Sequence, residues 1–332
     1  MDPSIRNRYN DDILSEAMRR YDIAPGDIDP GDGFESFIYR YRRGGERYIL
    51  RVTHSLRRTP ELIRGEVDWI NFLSAGGASV AHAVVSARGE LVEEIDDGDG
   101  GRFLATAFTF APGVSPGRMG GWTAARREAY GRLIGRIHAL TGQYTPADPA
   151  WRRPEWIDDT EAELASLLPS GHPMLERYGE LVRRAAALPR DKAHYGLVHF
   201  DAHGGNFFVD GDRLTLFDFD DCCYNWFAND IAMVLFYYIT NVDDPAAAID
   251  AFLPDFLRGY RAESALDPAW AAPIHDFMTM REILLYAVIL RSYDISPDDV
   301  ATIPHDWTRN FMLGRRERIA AGLPYVDYTF RF

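Results

Sequence analysis

Between Gly196 and Phe219 the chain reads GLVHFDAHGGNFFVDGDRLTLFDF, and its oxygen-bearing side chains fall at informative intervals. The apolar run Leu197-Val198 leads into His199-Phe200-Asp201, and Gly204-Gly205 then interrupt regular structure. Asn206 opens a strand over 207–209, Asp210-Gly211-Asp212 is a hairpin turn, and the strand returning from Arg213 ends at Asp218. Counting outward from the turn sets Asn206 opposite Asp218 at the open end of the hairpin, within about one residue of register. An amide oxygen beside a carboxylate is a hard-oxygen pair suited to Mg2+. Asp201, in its glycine-flanked loop, is expected to face the same cavity. One metal-holding pair and one nearby free carboxylate are what phosphoryl transfer from a nucleotide requires. The metal neutralises the bridging phosphates, and the carboxylate orients and deprotonates the attacking hydroxyl.

The elements around this segment change character along the chain. Residues 37–41 and 48–52 flank Arg43-Gly44-Gly45-Glu46 and predict a hairpin. A helix follows, with Thr59 as N-cap, Pro60 in its first position and an apolar stripe of Leu62, Ile63, Ile70 and Leu73 that Gly76-Gly77 stops. A second hairpin pairs 90–95 with 102–109 around the Asp/Gly cluster 96–101. That cluster superficially resembles a calcium loop, but its fifth position and its end lack the carboxylates, so it reads as a solvated turn. Beyond Ala111-Pro112-Gly113 the periodicity is helical over 123–140, 156–168 and 174–188; strands return briefly at 195–219, and helices fill the rest to about 320. The division expected is a strand-rich part, residues 1–110, and a larger helical part, 111–332.

His199-x-Asp201-x4-Asn206, followed by Asp218-Phe219, resembles the catalytic loop and metal motif of the protein-kinase-like fold. More narrowly it is similar to the aminoglycoside phosphotransferase, choline kinase and homoserine kinase group. His203 and Gly205 resemble the HxDxHxGN variant of several small-molecule kinases and of the bacterial stress-response protein kinases. The resemblance runs from about Gly31 to Tyr293 and weakens in the 150–190 insert and the tail. It implies an α+β, two-lobed fold with a small antiparallel-sheet lobe that binds nucleotide and a larger helical lobe that carries the catalytic loop and acceptor site. It also implies ATP and Mg2+ as cofactors, Asp201, Asn206 and Asp218 as the catalytic set, and Asn206 and Asp218 as metal ligands. Asp220, standing where protein kinases have glycine, is a further metal carboxylate on this resemblance. A kinase also needs a cation on a small-lobe strand, paired with a helix glutamate. Arg51 sits inside an apolar strand and Glu66 lies on the apolar stripe of the following helix, so each charge explains the other. Arginine stands where lysine is usual, and the only lysine in the chain is Lys192. Gly31-Asp32-Gly33-Phe34-Glu35-Ser36 occupies the place of the glycine-rich loop without its third glycine, with amides near Ser36 expected to cap phosphates. Phe108-Thr109-Phe110 is expected at the adenine edge. Asp230, opening an apolar helix, is either a buried acceptor for catalytic-loop amides or a plain helix N-terminal acid.

Composition bounds the function. The 332 residues carry 50 acids against 36 bases, a net charge of −14, which argues against a partner held by nucleic-acid phosphates. Cys222 and Cys223 are adjacent, so no disulfide framework exists; the N-terminal residues lack a signal-peptide core, and the apolar run 231–239 is about half a membrane span. A cytoplasmic enzyme with no membrane partner is expected. Four functions stay open. The first is an ATP-dependent kinase of a small-molecule hydroxyl (amino-alcohol, aminoglycoside or sugar-like), for which Tyr237, Tyr238, Trp270, Trp307, Asp276 and Glu282 would suit a polar or cationic alcohol. The second is a serine/threonine protein kinase of the stress-response type. The third is a metal-dependent hydrolase using the HxDxH cluster. A catalytically dead nucleotide-binding scaffold is the fourth, against which Asp201, Asn206 and Asp218 speak.

Overall fold

A computed structural model describes residues 1–33, 35–157, 160–168 and 170–332. The chain resolves into two units: Met1–Gly113 with Tyr144–Arg153 and Thr215–Asp220, and Val114–Gln143 with Pro154–Leu214 and Asp221–Phe332.

The first unit begins with helices α1 (Pro3–Arg6) and α2 (Asp11–Arg20), then an antiparallel sheet. Its strands are β1 (Ile28–Pro30), β2 (Phe37–Arg43), β3 (Glu46–His54), β4 (Ala83–Val84), β5 (Glu93–Asp96) and β6 (Arg102–Thr109). They are ordered β1-β2-β3-β6-β4, with β5 also paired to β6. Gly44 and Gly45 make the two-residue β2–β3 turn, both at positive φ (62° and 88°), the conformation that matches strand twist in a tight hairpin. Between β3 and β4 lies α3 (Pro60–Ala75). The Thr59 side chain accepts the Leu62 N–H, Pro60 occupies the first turn, and Gly76 caps the end. The face of α3 that carries Ile63, Val67, Ile70 and Leu73 is buried, and Glu66 is buried among them. Ile13 and Ala17 of α2, and Tyr21 just after it, join Tyr41, Leu50, Val52, Ile95 and Phe103 in one core. Two later segments complete the unit. The 215–220 segment docks through Leu216, bonded to Ser79 and Ala81, and the 149–151 turn lies against Gly65, where a Cβ would meet the Trp151 carbonyl at 1.9 Å.

The second unit is mostly helical. In order its helices are α4 (Ala124–Thr141), α5 (Thr160–Leu167), α6 (Pro173–Ala186), α7 (Phe227–Ile239), α8 (Pro245–Arg261), α9 (Ile274–Tyr293), α10 (Asp306–Met312) and α11 (Arg315–Ala320). Strands β7 (Tyr195–Val198) and β10 (Cys223–Trp226) pair antiparallel, while β8 (Phe207–Asp210) and β9 (Arg213–Leu216) form a ribbon turned by Gly211. The helical reading of 156–168 shortens to α5. The Trp156 N–H goes instead to the Tyr224 carbonyl, and Asp158 and Asp159 lie outside the described residues. Phe227 through Phe236 are all buried, so the apolar run of α7 is core; among the described residues no helix is long and apolar enough to cross a membrane.

Helices α4 and α8 touch backbone to backbone. A Cβ on Gly131 would stand 1.8 Å from the Phe256 carbonyl, and one on Gly259 would stand 1.9 Å from that of Glu128. Neither neighbour is a side chain that can swing away. Gly131→Ala is therefore expected to destabilise the protein by about 3 kcal/mol, read as a lower urea midpoint at unchanged m-value; an unchanged midpoint would contradict this packing.

Candidate active site

In the first unit, β3 carries Arg51 opposite Ile38 and Thr106, so the guanidinium starts from the middle of the sheet. Its Nη1 and Nη2 donate to Glu66 Oε1 and Oε2 of α3 at 2.8 and 2.7 Å, a two-point pairing that a lysine could not make. Arg51 is 5% exposed and Glu66 0%, so each supplies the charge that makes the other's burial tolerable. Burial works against the Arg51 charge, but Glu66, Asp220 and Asp218 outweigh it and hold its pKa above the ordinary value. The guanidinium centre also lies 5.0 Å from the Phe108 ring, on β6.

Asp220 joins this group. Its carboxylate accepts from Arg57 Nη1 and lies 3.9 Å from Arg51 Nη1 and 3.8 Å from Arg58 Nε; Arg153 Nη2 donates to its carbonyl at 2.6 Å. Burial pushes the Asp220 carboxyl up, yet Arg57, Arg51, Arg58 and Arg153 together hold it well below the usual range. Its side-chain partners here are guanidinium groups. Arg57 Nε also reaches Glu35 Oε2 at 3.2 Å, linking Glu35 to Asp220. Gly33 lies close against Ser36. A Cβ on Gly33 would stand 2.1 Å from the Ser36 carbonyl; Ser36 is buried and Phe34 lies outside the described residues. At the expected adenine edge, the Thr109 and Phe110 N–H groups donate to the His82 and Arg47 carbonyls. Asp218 is exposed at φ +64°, a left-handed backbone that aspartate tolerates better than most residues, and Phe219 beside it is buried edge-on against Trp69.

In the second unit, the loop after β7 hangs from one buried carboxylate. Asp230, in the first turn of α7, accepts the His199 N–H at 3.0 Å, the Phe200 N–H at 2.8 Å and the His138 ring at 3.2 Å. Of the two readings open for Asp230, the structure selects the buried acceptor. His199 is fully buried, and its Nδ1 accepts the Asp201 N–H. Phe200 turns at φ +70° and directs the chain so that Asp201 faces Arg281 of α9, whose Nη2 donates to Oδ1. His203 Nδ1 accepts the Gly205 N–H, which leaves the ring proton on Nε2, 3.3 Å from Asp201 Oδ2. Asn206 directs its amide nitrogen at the Asp201 carbonyl (2.9 Å) and at Oδ2 (3.3 Å), so its amide oxygen points the other way. Burial pushes the Asp201 carboxyl up, but the Arg281 charge and His203 prevail and hold it well below the ordinary carboxylate range.

Arg51 and Glu66 thus meet as the sequence leads one to expect, and Asp201 and Asn206 touch. Arg281 is the residue that sequence reasoning missed. Eighty positions separate it from Asp201, and the available signal was a charge within the apolar run Phe277–Leu284, on a helix buried over most of its length. Two acids expected to suit a cationic alcohol are engaged elsewhere: Glu282 is buried on Arg315 (2.8 Å), and Asp276 pairs with Arg184 (2.6 Å). His199 and His203 spend ring nitrogens inside their own loop. Among the described residues no group of three or more His, Cys, Asp or Glu is placed to hold a metal, so the HxDxH hydrolase reading loses its geometry.

Residues 30–274 match the phosphotransferase enzyme family. The chain belongs to that family. This phosphotransferase is 34% identical to the amicoumacin kinase of Bacillus subtilis strain 168 over 327 residues, 97% of this chain and 95% of the relative. Among solved structures, the amicoumacin kinase hAmiN in complex with AMP-PNP, Ca2+ and Ami is 35% identical. It superposes with a TM-score of 0.91 over 99% of this chain and 98% of that one. A microcompartment-associated aminopropanol kinase, at 21% identity and TM-score 0.73 over 96% and 100% of the two chains, shares the fold.

A carboxyl whose native pKa is depressed stabilises the fold above its ordinary value, near 4, and loses that contribution as pH falls through the native pKa. Replacing Arg281 by methionine removes the depressing charge. The Asp201 carboxyl carbon of Arg281→Met, followed by NMR, should therefore titrate at higher pH than in the unaltered protein. An unmoved midpoint would show that Arg281 does not set it.

Proposed function

We propose that this phosphotransferase moves the γ-phosphoryl group of ATP to a hydroxyl of a small molecule, with Mg2+ assisting and Asp201 orienting the hydroxyl. The observation that carries the reading is the Arg51–Glu66 pair, a buried strand cation and helix carboxylate of the kind a kinase uses to hold nucleotide phosphates. ATP and a divalent cation are supported by the complex of the amicoumacin kinase with AMP-PNP and Ca2+. A small-molecule acceptor is favoured over a peptide by the end-to-end likeness to amicoumacin kinases. The donors assigned to the cation suit it. Asn206 turns its amide oxygen away from Asp201, and Asp218 is an exposed acid; each brings the kind of hard oxygen that Mg2+ takes.

When bound, Mg2+–ATP supplies the phosphoryl group with its bridging charge neutralised. The chain does the positioning. Glu66 fixes Arg51 so that the guanidinium needs no reorganisation to meet phosphate oxygens. Asp201 is held by Arg281 on one oxygen and by His203 and Asn206 on the other. Kept ionised far into acid, it is a weak proton sink, so its work is to align the hydroxyl and accept the proton only as the new P–O bond forms. In a loose transition state little proton transfer is needed early. Arg57 and Asp220 brace the turn that carries Glu35 and Ser36 against the phosphate side.

Asp201→Ala is expected to lower kcat by about 10²–10⁴-fold with Mg2+–ATP affinity, measured by calorimetry, left unchanged. Asp218→Ala should weaken Mg2+–ATP binding itself. ADP release with candidate alcohols, and none with casein, completes the test. Wild-type turnover in Asp201→Ala would remove the base assignment, and no heat with Mg2+–ATP would remove the nucleotide.

A further inference from the structure

We propose that Tyr237 of α7 is a positioning residue for Asp201: its hydroxyl aims the Arg281 guanidinium and its ring confines the His203 imidazole. Those two side chains bond the two oxygens of the Asp201 carboxylate, Arg281 on Oδ1 and His203 on Oδ2. The proposal rests on the reading of Asp201 as the residue that orients the attacking hydroxyl, and it names the side chain that holds the partners of Asp201 in place.

A guanidinium is a planar fork, so the partner of one edge decides where the others point. Arg281 turns the edge formed by Nε and Nη2 toward Tyr237. Its Nε donates to the phenol oxygen at 3.0 Å, and Nη2 donates to that oxygen as well. The second Nη2 proton is left to Asp201 Oδ1. Without the phenol oxygen, the flexible arginine stem is free to bring that nitrogen in from many directions, and a single contact to the carboxylate does not choose among them. Burial raises the Tyr237 pKa against the lowering pull of Arg281, with Asp201 adding to the rise, so the hydroxyl stays neutral. A phenolate would compete with Asp201 for the arginine charge. A neutral phenol orients the fork and leaves that charge to the carboxylate.

The ring serves the second partner. His203 precedes Gly204-Gly205, which bring no side chains to support it. Its imidazole is confined by Gly205, where a Cβ would stand 2.4 Å from ring atom Cε1, and by the Tyr237 ring, 4.5 Å away between centroids at a 43° tilt. The helix ties both tasks to the backbone of the loop. Tyr237 stands seven residues after Asp230, so the two share a face of α7. Asp230 accepts the His199 and Phe200 N–H groups, and two turns further on Tyr237 meets the partners of Asp201. One helix face thus sets first the course of the loop and then the surroundings of its acid.

Two variants of the full chain test this, with Mg2+–ATP as the phosphoryl donor and water as the acceptor. Tyr237→Phe deletes the hydroxyl and keeps the ring, and Tyr237→Leu deletes both. In Tyr237→Phe the kcat for ADP release should fall about ten- to a hundredfold at unchanged KM for Mg2+–ATP, and in Tyr237→Leu it should fall further. Water needs no binding pocket, so a loss of kcat in this assay is not a loss of acceptor affinity. Independently of turnover, the Arg281 Nε–H, followed by NMR, should exchange with solvent about tenfold faster or more in Tyr237→Phe. An unaltered kcat in Tyr237→Phe, a raised KM in place of a lowered kcat, a Tyr237→Leu rate equal to that of Tyr237→Phe, or an Arg281 signal that ignores the substitution would each overturn the proposal. Should Tyr237→Leu fail to fold, Tyr237→Phe decides. No ADP release from the unaltered protein, with water or with any alcohol, would instead sink the kinase reading, and the Arg281 exchange would then decide alone whether Tyr237 holds the guanidinium.

Discussion

The loop after β7 depends on one fully buried carboxylate. Asp230 satisfies two consecutive loop amides, at His199 and Phe200, and also bonds to the His138 ring. His138 in turn accepts from the Tyr260 hydroxyl at 2.8 Å and stacks on Phe227 at 4.4 Å, so α4, α7 and α8 all converge on that acid. Its place in the first turn of α7 adds the favourable end of the helix dipole. Without it two amides would be left unsatisfied in the interior, at about 1–3 kcal/mol each. The loop would also lose the constraint that keeps Phe200 in its left-handed turn, the turn that presents Asp201 to Arg281.

Around this anchor the interior charges are matched in sets. Arg51 meets Glu66, Arg281 meets Asp201, Arg315 meets Glu282, and several guanidiniums surround Asp220. Each set needs a cation that serves more than one partner in a plane. Arg281 reaches a carboxylate and a phenol at once, and Arg51 grips both oxygens of Glu66. A compact ammonium does this poorly. The near absence of lysine from a chain with 36 basic residues accords with that demand at the buried positions. On the exposed surface the same preference has no structural explanation.

What the sequence made legible was local. The β2–β3 turn, the start and stop of α3, and the spacing from His199 to Asn206 each follow from neighbours within about ten residues, where turn chemistry and capping act directly. Arg51 with Glu66 was legible because a charge inside an apolar pattern demands a partner, and a strand followed by a helix offers few. The arginines around Asp220 were not. Arg57, Arg58 and Arg153 converge on it only through tertiary folding, and each reads alone as a surface residue. Glu282 misled for the opposite reason. It looked available because its partner Arg315 lies 33 positions away, beyond any helical periodicity. The limits of α5 were blurred because the Trp156 N–H is claimed by a strand, a competitor that hydrophobic spacing does not reveal.

Arginine at position 51 also changes how this enzyme meets covalent reagents. Reagents built to acylate an ε-amine find no such nucleophile on β3, because a guanidinium keeps its proton and its lone pairs stay delocalised. The one ε-amine in the chain, on Lys192, lies exposed in the loop before β7. Amine chemistry therefore offers a single side-chain attachment point, and blocking or tagging it leaves Arg51 and Glu66 chemically untouched.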